Sequence, residues 1–191
     1  MILRLLRSAL CLLVFMTCLL GIAYPLLLTG ITRVAFPNQA AGSLVYQGGK
    51  PIGSSLIGQQ FSDPKYFWGR PSATMPAPYN GLASAGSNLG PLNPALLDQV
   101  RVHVAAHRAD DFKSRSLVPV DLVTASASGL DPDISPAGAR FQIGRIARVR
   151  GITAANLEKL VAAHERGKLF GLLGEQRVNV LELNLALDQL R

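Results

Sequence analysis

From Ser8 to Thr32 the chain carries no charged side chain, and after Cys18 it carries no cysteine. The first absence excludes a water-facing surface helix there, which would need a polar stripe along one side. The second excludes a disulfide framework for the rest of the chain, which must stabilise itself by burial and is long enough to do so. Phosphate-cradling signatures are also missing. There is no Gly-x-x-x-x-Gly-Lys-Ser/Thr, no Gly-x-Gly-x-x-Gly ahead of a helix, and no Asp-Lys-Thr-Gly,. The formal charge of +7 falls to +5 without Arg4 and Arg7, and the remaining charges are interspersed. That pattern does not make a nucleic-acid surface.

What stands in the uncharged stretch is 25 residues of apolar sequence between Arg7 and Arg33. As a helix it would reach about 37 Å, enough to cross a hydrocarbon core of roughly 30 Å with some tilt. A cleaved secretory signal is the rival reading, but the run exceeds the usual apolar core of ~7–15 residues. No clean Ala-x-Ala site follows it. Ser8, Thr17 and Thr29 are tolerable inside a membrane because their hydroxyls can bond back to the helix. Gly21 and Tyr24-Pro25 predict a bend or a packing point. Arg4 and Arg7 crowd the N-terminal flank, against Arg33 alone on the other side before Lys50. The bias favours an N-terminus inside. The expected organisation is a cytoplasmic N-terminus (1–7), a transmembrane helix (8–32) and one compact extracytoplasmic α/β domain (33–191).

In the soluble part, Ser43–Gln47 and Ile52–Ile57 flank Gly48-Gly49-Lys50-Pro51 and predict a hairpin,. From Gln59 to Asn93 the sequence is dense in Gly, Pro, Ser and Asn, yet carries Phe61, Tyr66, Phe67, Trp68 and Tyr79. A plain linker has no use for so many aromatics, so this segment is expected to pack over the core or against a partner. Helices are predicted over 93–110, 135–150, 153–167 and 179–190. Asn93, Ser135, Thr153 and Asn179 supply the N-caps and Gly151 and Gly167 the stops. Leu97, Val100, Val104 and His107 form the expected inner face of the first helix, and Leu157, Leu160, Val161 and His164 that of the third. Val118–Ala125 reads as a strand and Ser126–Ile134 as a loop. Val-Ala-Ala-His occurs at 104–107 and at 161–164, a short match that helix-friendly composition explains. The fold class is mixed α/β.

Reactive constellations are scarce. His103 and His107 have metal-binding spacing, but no Glu follows His103 and no third ligand is apparent,. Structural histidines are the better reading, with His164 suited to the carbonyls at its helix end. Ser62-Asp-Pro-Lys65 imitates a Ser-x-x-Lys motif, but Pro64 breaks the helix that such a motif needs and no Lys-Thr-Gly follows,. Asp121, Asp131 and Asp133 could gather a cation, although turn and cap chemistry accounts for them first. Arg140, Arg145, Arg148 and Arg150 spread around their helix as a solvated or salt-bridged surface. No convergent base, nucleophile and metal set emerges. A membrane-anchored periplasmic binding domain or envelope hydrolase stays open as an alternative on residues alone.

The motifs themselves carry a resemblance. Ser54-Ser-Leu-Ile-Gly-Gln59 with Phe61, Tyr66-Phe-Trp-Gly-Arg-Pro-Ser72, Tyr79-Asn80 and Gly86-Ser-Asn-Leu-Gly-Pro91 resemble the C subunit of the bacterial high-affinity potassium-transporting ATPase, the Kdp system. So do Val118–Ser126, Ser128–Ser135, Gly174-Glu175, Arg177–Leu181 and Asn184. The chain departs from the family pattern at Ala85 and Ala127, where glycine is usual, and at Gln176, where proline is. An alanine in place of glycine is harmless at negative φ and costly at positive φ. The resemblance implies a non-hydrolysing accessory subunit beside a channel-like potassium-binding subunit and a P-type ATPase subunit, often with a small single-helix peptide. It implies a bacterial inner-membrane location with the domain in the periplasm, and no cofactor bound directly, ATP and potassium being handled by the complex. It also carries a family proposal of a catalytic chaperone that raises the ATP affinity of the hydrolysing subunit. Within its densest stretches, Phe61, Trp68, Arg70, Tyr79, Asn80, Asn88, Asp121, Asp131, Asp133, Glu175, Arg177 and Asn179 are the expected structural or partner-contact residues.

Overall fold

The computed structural model describes residues 2–109, 116–168 and 170–190. It divides into two units, Met1–Leu44 and Val45–Arg191. The first unit is dominated by one 34-residue helix, Ile2–Ala35, with a mean hydropathy of 2.4 and none of its apolar window buried in protein. This is the single membrane-spanning helix. It consists of α1 (Ile2–Met16), a π-helical stretch over Thr17–Ala23 and α2 (Tyr24–Ala35). Pro25 has no N–H to return to the carbonyl four residues back, and its ring crowds the preceding turn. The widened π turns lie directly ahead of it, so the irregularity expected at Gly21 and Pro25 takes this form. Ser8, Thr29 and Thr32 donate to the carbonyls of Arg4, Pro25 and Leu28 at 3.0, 2.7 and 2.9 Å. A short helix α3 (Pro37–Ala40) follows the break at Phe36.

The second unit begins at a hairpin of β1 (Leu44–Gln47) and β2 (Lys50–Ser54). Its turn is only Gly48-Gly49, with φ of +57° and +79°, a geometry glycine adopts without strain,. Lys50 and Pro51 belong to the second strand rather than to the turn. Helix α4 (Pro94–Ala109) starts where expected, Asn93 Oδ1 accepting from Ala95 N at 3.0 Å. Its inner face is Leu96, Val100, His103, Val104 and His107; Leu97 is exposed, and His107 is the one buried residue.

The strand expected over Val118–Ala125 is not formed. A 3₁₀ turn occupies Val120–Leu122. Pro119 has no N–H for a ladder, and Thr124 bonds to the Val120 carbonyl through both Oγ1 and N, which closes a turn instead,. Strand structure comes from sequence that did not announce it. β3 (Asp133–Ile134), β4 (Glu165–Arg166) and β5 (Arg177–Asn179) form an antiparallel sheet in the order β3-β5-β4. Asp133 lies opposite Asn179, and Arg166 opposite Arg177.

The remaining helices follow their caps. α5 (Pro136–Arg150) is opened by Ser135 and closed by Gly151 at φ +68°, while α7 (Val180–Gln189) is capped by Asn179. α6 (Ala154–His164) stops three residues before Gly167, because Glu165 and Arg166 pair with β5. The core lies between α5, α6, α7 and the small sheet, with Ile146, Leu157, Val161, Val178, Leu183 and Leu187 fully enclosed. Each such side chain contributes roughly 1.5–3 kcal/mol relative to exposure. Phe67, also fully buried, joins this core from the irregular segment.

Candidate functional site

Residues 64–72 run across the core without secondary structure, so their backbone polar groups need partners from side chains. Asn184 on α7 supplies two. Its Oδ1 accepts from Phe67 N at 2.8 Å, and its Nδ2 donates to Phe67 O at 2.9 Å. Gln142 on α5 does the same for Trp68, at 2.8 and 3.1 Å. Two buried amides thereby imitate a neighbouring strand. Arg145 donates to the carbonyls of Pro64 and Tyr66, and its guanidinium lies 4.2 Å from the Trp68 ring centroid. For Arg145 this corrects the reading of the α5 arginines as a solvated or salt-bridged surface. Arg145 is only 4% exposed, and Arg150 reaches the Lys65 carbonyl and Asp188, whereas Arg140 pairs outward with Glu158 and Glu165.

Downstream, Arg70 Nη1 meets Asp131 Oδ2 at 3.0 Å, and Tyr79 Oη donates to the Arg70 carbonyl at 2.5 Å. Burial, then the Asp131 charge, push the Tyr79 phenol up to about 12, with Arg70 opposing. Tyr79 therefore stays a donor at any physiological pH. Ser72 and Thr74 tie the loop to itself and to its neighbour. Ser72 Oγ donates to Gly129 O at 2.7 Å, and Thr74 Oγ1 accepts from Asn80 N at 3.0 Å. Asn80 Nδ2 in turn reaches the Met75 carbonyl.

The three aspartates do not converge on a cation. Asp121 accepts from Ser135 N at 2.7 Å, and Asp131 Oδ1 accepts from Asp133 N at 3.0 Å. Asp133 pairs with Arg177 Nε at 3.0 Å and accepts from Asn179 Nδ2 at 3.2 Å. Burial and the nearby Asp131 raise the Asp133 carboxyl above its usual range, while Arg177 and Asn179 work against that. Among the described residues no group of three His, Cys, Asp or Glu side chains could hold a metal ion. Asn179 also reaches the Ser55 carbonyl at 2.9 Å, fastening the sheet to the segment after β2.

A cleft of about 270 Å³ opens beside this network, lined by Phe61, Trp68, Arg70, Tyr79, His103, His107 and Leu122 among others. Arg70 Nε is buried there without a hydrogen-bond partner. Phe61 packs on Tyr66 with ring centroids 5.5 Å apart. His107 lies 5.2 Å from Trp68 and 6.2 Å, edge-on, from Phe141. Desolvation, then Arg145, lower its pKa to about 4, so it is a neutral structural imidazole at pH 7. Burial lowers His103 as well. His164 Nδ1 sits 2.8 Å from the Leu160 carbonyl.

The predicted residues thus divide. Trp68, Arg70, Tyr79, Asn80, Asp121, Asp131, Asp133, Arg177 and Asn179 fall into one connected scaffold around the irregular segment, with Phe61 at its edge. Asn88, exposed at φ +52°, and Glu175, exposed on a shallow rim, take no part in it. Gln142 and Arg145 were missed as site residues. Their signal was positional, since Gln142 shares a helical face with Ala139 and Ile146, where an apolar residue would be ordinary. Ala85 and Ala127 are not among the non-glycine residues at positive φ, so these departures from glycine cost no strain.

An apolar N-terminal helix and a small α/β domain whose polar side chains fasten loops define a membrane-anchored module. The family model described as K+-transporting ATPase, c chain, matches residues 6–189. The Potassium-transporting ATPase KdpC subunit of Variovorax paradoxus is 62% identical over 182 residues, spanning 95% of this chain and 94% of that protein. That of Sorangium cellulosum is 61% identical over 186 residues, spanning 97% and 98%. That of Polaromonas naphthalenivorans is 60% identical over 188 residues, spanning 98% and 96%. The chain belongs to the KdpC family of K+-transporting ATPase c chains.

Proposed function

We propose that this chain is the accessory subunit of an ATP-driven potassium uptake complex, with its domain outside the cytoplasm and seated on a channel-like potassium-binding subunit. A P-type ATPase subunit hydrolyses ATP in the same complex, and a small single-helix peptide accompanies it. The observation that carries this reading is the use to which polar side chains are put. Arg70, Tyr79, Asp131, Gln142 and Asn184 each bond to backbone or to one another around residues 64–80 and 125–135, and Asp133 is held by Asn179 and Arg177. Such an arrangement holds a loop surface in place, and among the described residues these side chains are spent on structure rather than set beside a nucleophile. The charge flanking the membrane helix supports the outside location. ATP and the domain then lie on opposite sides of the bilayer, and any effect on nucleotide affinity must pass through the spanning helix or through the partner.

Assembly is the readout. Replacing Arg70 or Asp131 with alanine is expected to lower both the unfolding midpoint and the yield of copurified complex, because each leaves the other partly buried and unpaired. Asn88→Gly tolerates the left-handed φ and leaves the domain intact, so a drop in complex yield with an unchanged midpoint marks Asn88 as a contact residue. A chain that purifies as a stable monomer and never retains a multispanning partner would refute the subunit reading. Loss of a measured turnover on changing Ser62 or His107 would replace it with the hydrolase alternative.

A further inference from the structure

The connection between β4 and β5 contains Phe170-Gly171-Leu172-Leu173-Gly174. Phe170, Leu172 and Leu173 are 86, 83 and 62% exposed. Gly171 and Gly174 have φ of +75° and +82°, and Phe170 itself sits at +53°. A tight bend thus presents three large apolar side chains to solvent, an arrangement that core packing does not explain. The stem of the hairpin is fastened by charge, Arg166 to Glu182 and Arg177 to Asp133, so the tip stands on a braced support.

We infer that this tip inserts into the surface of the bilayer in which the chain is anchored. Only eight residues, 36–43, separate Ala35, the last of the spanning helix, from Leu44. Even fully extended they reach about 30 Å, so the membrane is an unavoidable neighbour of the domain. Tethering raises the effective concentration of that surface to the order of millimolar, and a weak insertion is then sufficient. Between Phe170 and Gly174 no side chain can make a hydrogen bond. A protein interface of useful size combines an apolar centre with a polar rim, whereas an interfacial anchor needs only apolar insertion with cations at the headgroup level. Exposed Lys168 provides that cation for anionic headgroups,. The inference rests on the membrane anchor and is independent of the subunit reading.

The test uses the full chain with Cys11→Ser and Cys18→Ser, carrying Phe170→Cys labelled with an environment-sensitive fluorophore. The chain is reconstituted in vesicles of phosphatidylethanolamine and phosphatidylglycerol. The expected result is a blue-shifted emission, quenched by shallow nitroxide lipid several-fold more than the same label at exposed Lys159→Cys. Adding Leu172→Ser and Leu173→Ser removes most of that difference and leaves thermal unfolding unchanged, since neither side chain is buried. Equal quenching at positions 170 and 159 overturns the proposal. So does protection of position 170 from aqueous iodide that arises only when the partner subunits are present, without lipid quenching, since the tip would then meet a protein surface.

Discussion

Tyr79 fills a slot that two glycines leave open. A Cβ on Gly58 would stand 2.3 Å from its ring and 2.8 Å from the Asp131 carbonyl, and one on Gly69 2.7 Å from its hydroxyl. Gly58→Ala therefore forces the ring or the 131 backbone to move, and is expected to destabilise by about 1–3 kcal/mol. Gly90, with open space around it, serves as the control, and its alanine variant is expected to stay within about 0.5 kcal/mol,. Denaturant unfolding of both variants decides the matter, and equal losses would discount the slot. His107 offers a second residue-scale test, because the chain has one tryptophan and the His107 ring packs against it at a tilt. Its folded pKa of about 4 lies below the ordinary histidine value of 6.5, so its neutral form stabilises the fold fully above pH 6.5,. That stabilisation, at most about 3 kcal/mol, is lost as pH falls through 4. Trp68 fluorescence should change with a midpoint near pH 4, and His107→Gln should abolish that step and flatten stability between pH 6.5 and 4. An unchanged profile in the variant would assign the transition to other groups.

At the scale of elements, the irregular segment depends on helices that it does not belong to. Asn184→Ala would strip Phe67 of both backbone partners in a buried place, for an expected loss of about 2–4 kcal/mol. Asp188→Ala breaks a more exposed pairing with Arg150 and Tyr66, where about 1 kcal/mol or less is expected,. Chemical unfolding of the two variants should rank them in that order, and the reverse ranking would show that the ionic strap rather than the amide clamp secures the segment. Helix starts were legible because capping is local. Asn93, Ser135, Thr153 and Asn179 each bond within three residues of themselves. The strands were not. β3, β4 and β5 are two or three residues long, too short for an alternating pattern, and exist only because β5 passes between the other two.

For the whole molecule, the distinguishing experiment is one of sidedness. Single cysteines at exposed sites such as Lys159, in a chain freed of Cys11 and Cys18, should react with an impermeant thiol reagent in intact spheroplasts. Labelling only after lysis would place the domain with the nucleotide and reopen direct contact with ATP. The candidate residues stand in dense, ordered motifs of the sequence, and the structure pairs Arg70 with Asp131 across 61 positions. Their pairing was not legible, since nothing local relates them.

The membrane helix, the caps, the glycine turn and the family membership follow from the sequence alone, because each depends on groups close in the chain or on residue identity in order. Tertiary structure alone decided that Arg145 is interior, that 118–125 coils instead of extending, and which backbone groups and which arginines the three aspartates serve. The physical reason is the same in each case. A polar side chain's role is set by which unpaired backbone group or opposite charge folding brings within about 3 Å, and those partners come from distant parts of the chain.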